Sequence, residues 1–362
     1  MIKKFDEVFV DKTRLGKKIP KEEYKKKGKY IIIDQGKDKI AGFTDNEDGI
    51  FTDVPTIIFG DHTRIIKYID KPFFLGADGV KVLKSKINNA NYKYLYYALK
   101  AAYIPNTGYN RHFKWLKKVS INYPSFEKQK RIVKLLDNLS EVKNKKNEEL
   151  KLCDTLIKAR FVEMFEELKF DTPVSKYIES LTACKSLAGK EKCKNKVLNT
   201  GAVSYDKFKN DYKYLPLDYV PDEDNKVRTG NVLVSRMNTR ELVGATAYVW
   251  KAPENTYLPD RLWRANLKEN ANPIFIWQVL THPLLKLQIQ KISSGTSGSM
   301  KNISKSNFLR LKVPNIDVES QNEFASFVQQ VDKSKVVNAS IMKYIISIRF
   351  YLYFKENKEG AR

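Results

Sequence analysis

The chain has only three cysteines and three histidines in 362 residues, and no run near the roughly 20 apolar residues of a membrane span. Cys153, Cys184 and Cys193 match neither a Cys-x-x-Cys redox pair nor a paired zinc knuckle, so they read as reduced thiols. His62, His112 and His282 lie far apart with no His-Glu-x-x-His spacing, which argues against a zinc site. There is no Gly-x-x-x-x-Gly-Lys-Ser/Thr loop and no Gly-x-Gly-x-x-Gly, so work driven by a nucleotide triphosphate is not expected of this chain. The start, Met1 to Phe9, lacks the apolar core of a secretory signal, and the expectation is a soluble cytoplasmic protein.

Fragments that suggest chemistry fare no better. Pro221-Asp222 and Pro259-Asp260 resemble the opening of a nuclease carboxylate motif, but no acidic-x-Lys follows at a usable distance, and both read as turns. Asn272-Pro273-Ile274-Phe275 approaches the Asn-Pro-Pro-Phe/Tyr loop of adenine methyltransferases without its second proline. It reads as a helix with Asn at the cap and Pro in the first turn.

What the chain does have is positive charge. Lysine and arginine number 66 against 42 acidic residues, a formal +24, while hydrophobic residues make up 42% and aromatics 12%. That is too much packing material for a disordered basic tail, and the length suits about two domains. Such an excess calls for a polyanion. Neither end carries a cationic amphipathic helix or a lipid signal, so nucleic acid is expected rather than a membrane.

The sequence also repeats. Thr107-Gly108 and Ser297-Gly298 each open a polar loop, and each glycine is followed sixteen residues later by a proline, Pro124 and Pro314. The approaches, Val119-Ser120-Ile121-Asn122-Tyr123 and Leu309-Arg310-Leu311-Lys312-Val313, alternate as strands do. A glutamine follows each proline (Gln129, Gln321), then a long segment with apolar residues three and four apart. Upstream, Tyr94–Leu99 matches Phe275–Leu280 as short helices, with the second copy nine residues longer before its loop. Each half therefore runs α+β domain, proline exit, long helix.

The second long helix, from Ser320 to about Phe354, places Phe324, Phe327, Val331, Ser334, Asn338, Ile341, Ile345, Ile348 and Leu352 on one coiled-coil line. The first, Phe126 to Phe165, offers Ile132, Leu135, Leu139 and Val142, a charged stretch Lys143–Glu149, then Cys153, Leu156 and Phe161. A break into two helices at that stretch is the alternative. Unbroken, such helices span about 50 to 60 Å and would hold two globular domains at a set distance. The expected boundaries are 1–125, 126–166, 167–316 and 317–362.

With the repeat in view, the chain resembles the specificity subunit of a type I restriction-modification system over nearly its whole length. The family pattern of polar loop, proline-ended strand, Glu/Gln turn and long helix is met at Gly108, Pro124 and Glu127-Lys128-Gln129. It is met again at Gly298-Ser299-Met300-Lys301, Pro314 and Glu319-Ser320-Gln321. The first half also carries the family-like runs Phe59–Arg64, Phe73–Gly79 and Tyr109–Lys117, and the second half the looser Gly230–Arg236 and Leu242-Val243-Gly244. The second turn, Asn315 to Gln321, is two residues longer and less typical.

The resemblance implies an α+β fold with internal pseudo-two-fold duplication: two target-recognition domains with small mixed sheets, separated by two long antiparallel coiled-coil helices. It implies a non-catalytic reader of a bipartite double-stranded DNA site. Its partners would be two modification (methyltransferase) subunits and restriction subunits, which use S-adenosylmethionine, ATP and magnesium; the chain itself would carry no cofactor or metal. A stand-alone architectural DNA-binding protein shares charge and duplication, but its apolar helix faces should be consumed within the chain. A catalytic adenine methyltransferase is a weaker rival.

Base-reading candidates are Arg, Asn, His and polar side chains on loops, since phosphate contacts supply affinity and base edges supply sequence. In the first half these are His62, Thr63, Arg64, Tyr109, Arg111, His112 and Lys114. In the second they are Arg236, Asn238, Arg240, Ser297, Lys301 and Asn302. Each has a plainer explanation: Arg64 or Arg236 pairs with Asp61 or Glu241, and His62 or His112 caps a turn. The lysine runs Lys25–Lys27 and Lys143–Lys146 read as solvated faces that at most touch phosphate.

Overall fold

The computed structural model describes residues 1–76, 78–165, 167, 169–295 and 300–358, with side chains up to residue 342 and at Tyr344. Its contacts divide into two units, Met1–Glu148 with Asn338–Arg362, and Glu149–Val337. The division falls within both long helices.

In the first unit the run Thr56–Gly60 is buried at every position, because its two faces pack against different layers. Ile57 and Phe59 point into a core with Leu83, Tyr94, Leu95, Ala98, Ile132 and Leu136. Ile58 points the other way, into Ile33, Phe73, Leu75 and Val82. This two-residue alternation suits Thr56–Gly60 to be one of the two inner strands of a four-stranded antiparallel sheet, in the order Phe9–Asp11, Val80–Ser85, Thr56–Gly60, Ile66–Ile69. A three-stranded sheet covers the other face: Gly42–Thr44, Tyr30–Ile33 and Phe73–Leu75, the last two parallel. Helix Tyr92–Ala101 lies on the first face, started by the Asn91 side chain, which accepts the Tyr94 N–H. Tyr97 donates to Asp137 of the long helix at 2.6 Å; burial, and then this bond, push its phenol up to about 12.

The second unit repeats this order strand for strand. Ile178–Thr182, Leu262–Leu267, Val232–Ser235 and Thr246–Tyr248 form the four-stranded sheet. Tyr212–Tyr214, Lys196–Leu198 and Thr256–Tyr257 form the three-stranded one, again with a single parallel pair. Val232, Val234, Trp263 and Ala265 face the helical core while Leu233, Ala247 and Leu262 face the other. Each unit is closed by a pair linking its first strand to the proline exit, Ile2–Lys4 with Ser120–Asn122 and Phe170–Pro173 with Lys312–Pro314. The second unit adds the hairpin Val203–Ser204 and Lys207–Phe208, the ribbon Met237–Asn238 with Lys301–Asn302, and helix Pro283–Ile292. That ten-residue helix accounts for the extra length of the second copy.

Asn272 caps helix Pro273–Thr281 by accepting the Ile274 and Phe275 N–H groups, as the proline-bearing cap required. Of the second alternating stretch only Lys312–Pro314 is strand. Leu309 ends the helix Lys305–Leu309, and Leu311 is reached through a turn that donates to Phe308, so its alternation arises from turn packing.

Both long helices are unbroken, Phe126–Phe165 and Val318–Lys358. Their expected buried line needs correction. On the second helix Gln321, Phe324, Ala325, Val328 and Val331 are buried, Phe327 is half-buried, and Ser334 and Ile341 are exposed. On the first, Ile132, Leu136, Ile157, Phe161 and Phe165 are buried, while Leu135, Val142 and Leu156 face out. The face is set by the aromatic anchors at the domain end, from which a 3.6-residue turn drifts away from a strict seven-residue repeat. In the second unit the two helices run antiparallel: Asp154 meets Lys335 at 2.6 Å, Arg160 meets Glu323 at 2.6 Å, and Phe161 packs edge-on against Phe324.

The glutamine after each proline is buried in the first turn of its helix. Gln129 donates to the Pro124 carbonyl at 2.9 Å. Gln321 donates to the Ile316 and Asn270 carbonyls and accepts the Asn272 N–H at 2.9 Å, tying helix to domain.

Candidate nucleic-acid interface

The turn that leaves the inner strand of the first unit is closed by two backbone bonds, Arg64 N–H to Gly60 and Gly60 N–H to Ile65. Gly60 is required there, since a Cβ would meet Thr63 Oγ1 at 2.2 Å. The turn is then lashed to its neighbours. Gln35 accepts the His62 N–H at 3.1 Å, donates to the Asp78 carbonyl at 3.1 Å, and takes the Thr63 hydroxyl on its own carbonyl at 2.6 Å. Asp61 is buried; its carboxylate accepts the Phe113 N–H at 2.7 Å, and its carbonyl accepts the His112 N–H at 2.8 Å. Arg64 donates to the Ile104 carbonyl at 3.2 Å.

The three runs Phe59–Arg64, Phe73–Gly79 and Tyr109–Lys117 are therefore one surface. On it the Tyr109 ring, 89% exposed, stacks on His62 with centroids 5.0 Å apart and planes 14° apart. Arg111 is exposed; after the Lys18 hydrogen bond and charge, it helps hold the Asp78 carboxyl below its ordinary range. Lys114 is exposed on the helix Phe113–Leu116 with its ammonium 5.6 Å from the Trp115 ring. Beside Thr63 and Arg64 opens a cleft of about 830 Å³ lined by Lys37, Lys39, Lys67, Lys100 and Tyr96.

His112 is the correction in this set. It is wholly buried, with Nδ1 against the Asp61 carbonyl at 3.0 Å and Nε2 accepting the Thr107 N–H at 3.4 Å. Held on both ring nitrogens, His112 is a brace for the loop rather than a side chain turned outward.

The same junction recurs in the second unit. Arg236 follows the inner strand Val232–Ser235, and its carbonyl accepts the Ile303 N–H at 3.1 Å, as Asp61 accepts His112. Arg236 Nε donates to Asn302 at 3.4 Å; Asn238 donates to Ser235 at 3.2 Å and accepts the Thr239 N–H. Asn238 and Lys301 face each other in the ribbon, as do Met237 and Asn302. Arg240 is exposed on the turn beyond. Ser297, with the Gly-Ser loop around it, lies outside the described residues. Among the described residues no carboxylate lies within 4 Å of Arg64 or Arg236, so neither is consumed by Asp61 or Glu241. Asp61 was legible in its motif; Gln35 gave no signal, because its partners are 27 to 43 residues away.

Among the described residues no group of three or more His, Cys, Asp or Glu could hold a metal ion, and no helix is long and apolar enough to cross a membrane.

Residues 1–152 match the family of the type I restriction modification DNA specificity domain. Over these residues the chain is similar to that specificity domain. The match contains the whole of the surface formed by the runs Phe59–Arg64, Phe73–Gly79 and Tyr109–Lys117. The fold of the full chain is similar to the S subunit of the type I restriction-modification system of M. genitalium, at 16% identity, TM-score 0.61, and coverage of 97% of this chain and 94% of that one. It is also similar to a chain of a type I restriction-modification system solved for complex assembly and conformational transition. There the identity is 14%, the TM-score 0.53, and the coverage 99% and 97%. No curated protein matches the sequence. Beyond residue 152 the specificity-domain likeness rests on fold: the second unit repeats the first strand by strand.

Proposed function

We propose that this chain is the non-catalytic, DNA-reading subunit of a type I restriction-modification complex, recognising a bipartite site with one half-site per unit. The observation that carries this is the repeated junction, in which an inner strand delivers Asp61–Arg64 or Arg236–Arg240 against the loop before a short helix. The strand order and the backbone bond from turn to loop are the same while the turn length and the side chains differ, which is what two readers of different sequences require. The long helices act as a spacer; 40 helical residues rise about 60 Å. The basic cleft beside Arg64 would follow phosphates.

Two modification subunits carrying S-adenosylmethionine, and restriction subunits using ATP and magnesium, supply the chemistry in this reading. It is favoured over a stand-alone architectural protein by unconsumed apolar side chains on the first long helix. In the first unit Leu135 and Val142 are 37% and 41% exposed, and in the second Leu152 and Leu156 are 66% and 50% exposed, apolar side chains open to partner proteins. The test is co-expression with the cognate methyltransferase subunits and mapping of N6-methyladenine. A split, asymmetric motif methylated only when this chain is present is expected. Methylation indifferent to the chain would overturn the assignment.

A further inference from the structure

The two reading turns are built to different lengths. In the first unit five residues, 61–65, separate the paired strands; in the second ten do, 236–245. A connection twice as long has more conformations to lose and needs anchors that the short turn does not. Besides the ribbon of Met237–Asn238 with Lys301–Asn302, the second unit supplies them from two insertions, the hairpin around Tyr205-Asp206 and the helix Pro283–Ile292. Tyr205 and Asp206 both adopt the left-handed conformation of a two-residue hairpin turn, φ +52° and +59°, which presents the Asp206 carboxylate beside the reading turn.

Lys286 closes the arrangement. Its ammonium donates to Asp206 Oδ1 at 2.6 Å and to the Gly244 carbonyl at 2.9 Å. Asp206 Oδ1 also accepts the Thr246 N–H at 2.9 Å. Three residues along the same helix face, Ile289 packs so closely that a Cβ on Gly244 would meet it at 2.6 Å; Gly244 has φ +73° and accommodates the contact. Gly244 N–H in turn donates to Ser235 at 2.7 Å, the residue before Arg236. The ion pair is largely covered, with side chains 22% and 33% exposed, and desolvation lowers the Lys286 pKa despite Asp206. A covered pair of this kind adds little net stability, but it fixes geometry where each charge has one partner.

We propose that Lys286 is a positioning residue for base reading by the second unit: held between Asp206 and Gly244, it sets the course of the Thr239–Gly244 turn and through it the placement of Arg236, Asn238 and Arg240. The proposal rests on the DNA-reading assignment above. The test is genome-wide N6-methyladenine mapping on cells expressing the full chain with its methyltransferase subunits, as wild type, Lys286→Met, Asp206→Asn and the double variant. Relaxation is expected in one half of the motif only, with discrimination at one or more bases falling about tenfold, within the range of one lost bidentate contact. Asp206→Asn should relax the same half, and the double variant should be no worse than Lys286→Met. Asp206→Asn keeps an acceptor for Thr246, so it preserves the test if the lysine variant does not fold. An unchanged motif with uniformly lower methylation would mean that Lys286 only stabilises the fold and would overturn the proposal, as would relaxation in both halves. A wild-type complex with no bipartite motif would remove the base-reading assignment and the proposal with it.

Discussion

Replacing Arg236 with alanine separates base reading from general attraction. Its backbone is fixed on both sides, N–H to Arg261 at 3.0 Å and carbonyl from Ile303 at 3.1 Å, and its Nε rests on Asn302. A guanidinium tethered at Nε keeps both terminal nitrogens for a bidentate bond to a guanine edge and loses little freedom on binding. The expected cost is about 1 to 3 kcal/mol, or roughly 5- to 150-fold, confined to one half-site. Lys26, exposed in a lysine run that at most touches phosphate, is the control: its alanine variant should weaken binding to all sequences by less than about 1 kcal/mol and lower the salt slope by about 0.9. The assay is fluorescence anisotropy of the assembled complex on intact duplexes and on duplexes with either half-site scrambled, across about 50 to 200 mM salt. Equal loss at both half-sites, or an Arg236→Ala loss that is uniform across sequence and carried by the salt slope, would refute the reasoning.

Phe324 is fully buried with rings of Phe161, Phe165 and Phe275 at 5.5, 5.6 and 6.3 Å, so Phe324→Ala should cost about 3 to 5 kcal/mol. Urea unfolding followed through Trp250, Trp263 and Trp277 measures it; a loss under about 1 kcal/mol would mean that the helix is not anchored there. His282 is held neutral by burial, which pushes its pKa down, while Nδ1 accepts the Leu284 N–H at 3.3 Å. The unfolded chain then binds more protons, so the second unit should lose stability as pH falls below the ordinary histidine value, and His282→Gln should flatten that slope; equal slopes would contradict it. Lengthening both long helices by one heptad adds about 10.5 Å and nearly whole turns, and the preferred spacer between half-sites should change. A spacer that stayed put in the methylated motif would rule out a ruler.

Much of the architecture was legible because duplication repeats its signals. The helix Phe126–Phe165, the cap at Asn272 and the position of Gln129 and Gln321 at the start of each long helix follow from local spacing, while the burial of the two glutamines shows only in the fold. The parallel pairing of Ile31–Ile33 with Phe73–Leu75 did not, because strands of three or four residues joined across forty positions leave no local period. The helix faces were misplaced for a related reason: Leu135 and Leu156 satisfy the spacing as well as Leu136 and Ile157, and only the tertiary anchors choose between them. At the site, Asp61, Arg64 and Arg236 stood in recognisable runs, whereas Gln35, Lys286 and Asp206 act through partners far along the chain. His112 misled because an imidazole serves equally as a reader and as a buried brace, and burial alone decides.

The duplicated junction also explains how such a scaffold can change what it reads without losing its fold. The bonds common to both junctions are backbone to backbone, His112 to Asp61 and Ile303 to Arg236, and place no demand on the Arg236 side chain, whereas in the first unit the Asp61 carboxylate also holds the Phe113 N–H. Substitution at the exposed positions of the turn is cheap in stability. Length is not, since each added residue must be immobilised before it can discriminate. The first unit keeps its turn at five residues and secures it with Gln35 and Asp61; the second reaches further with ten and requires an added helix, an added hairpin and an ion pair. Changes of specificity should therefore come from two sources with different costs: exchange of side chains on a fixed turn, and lengthening of the turn together with a new brace. In the second unit a longer turn without Lys286 would cover more bases and read them less sharply.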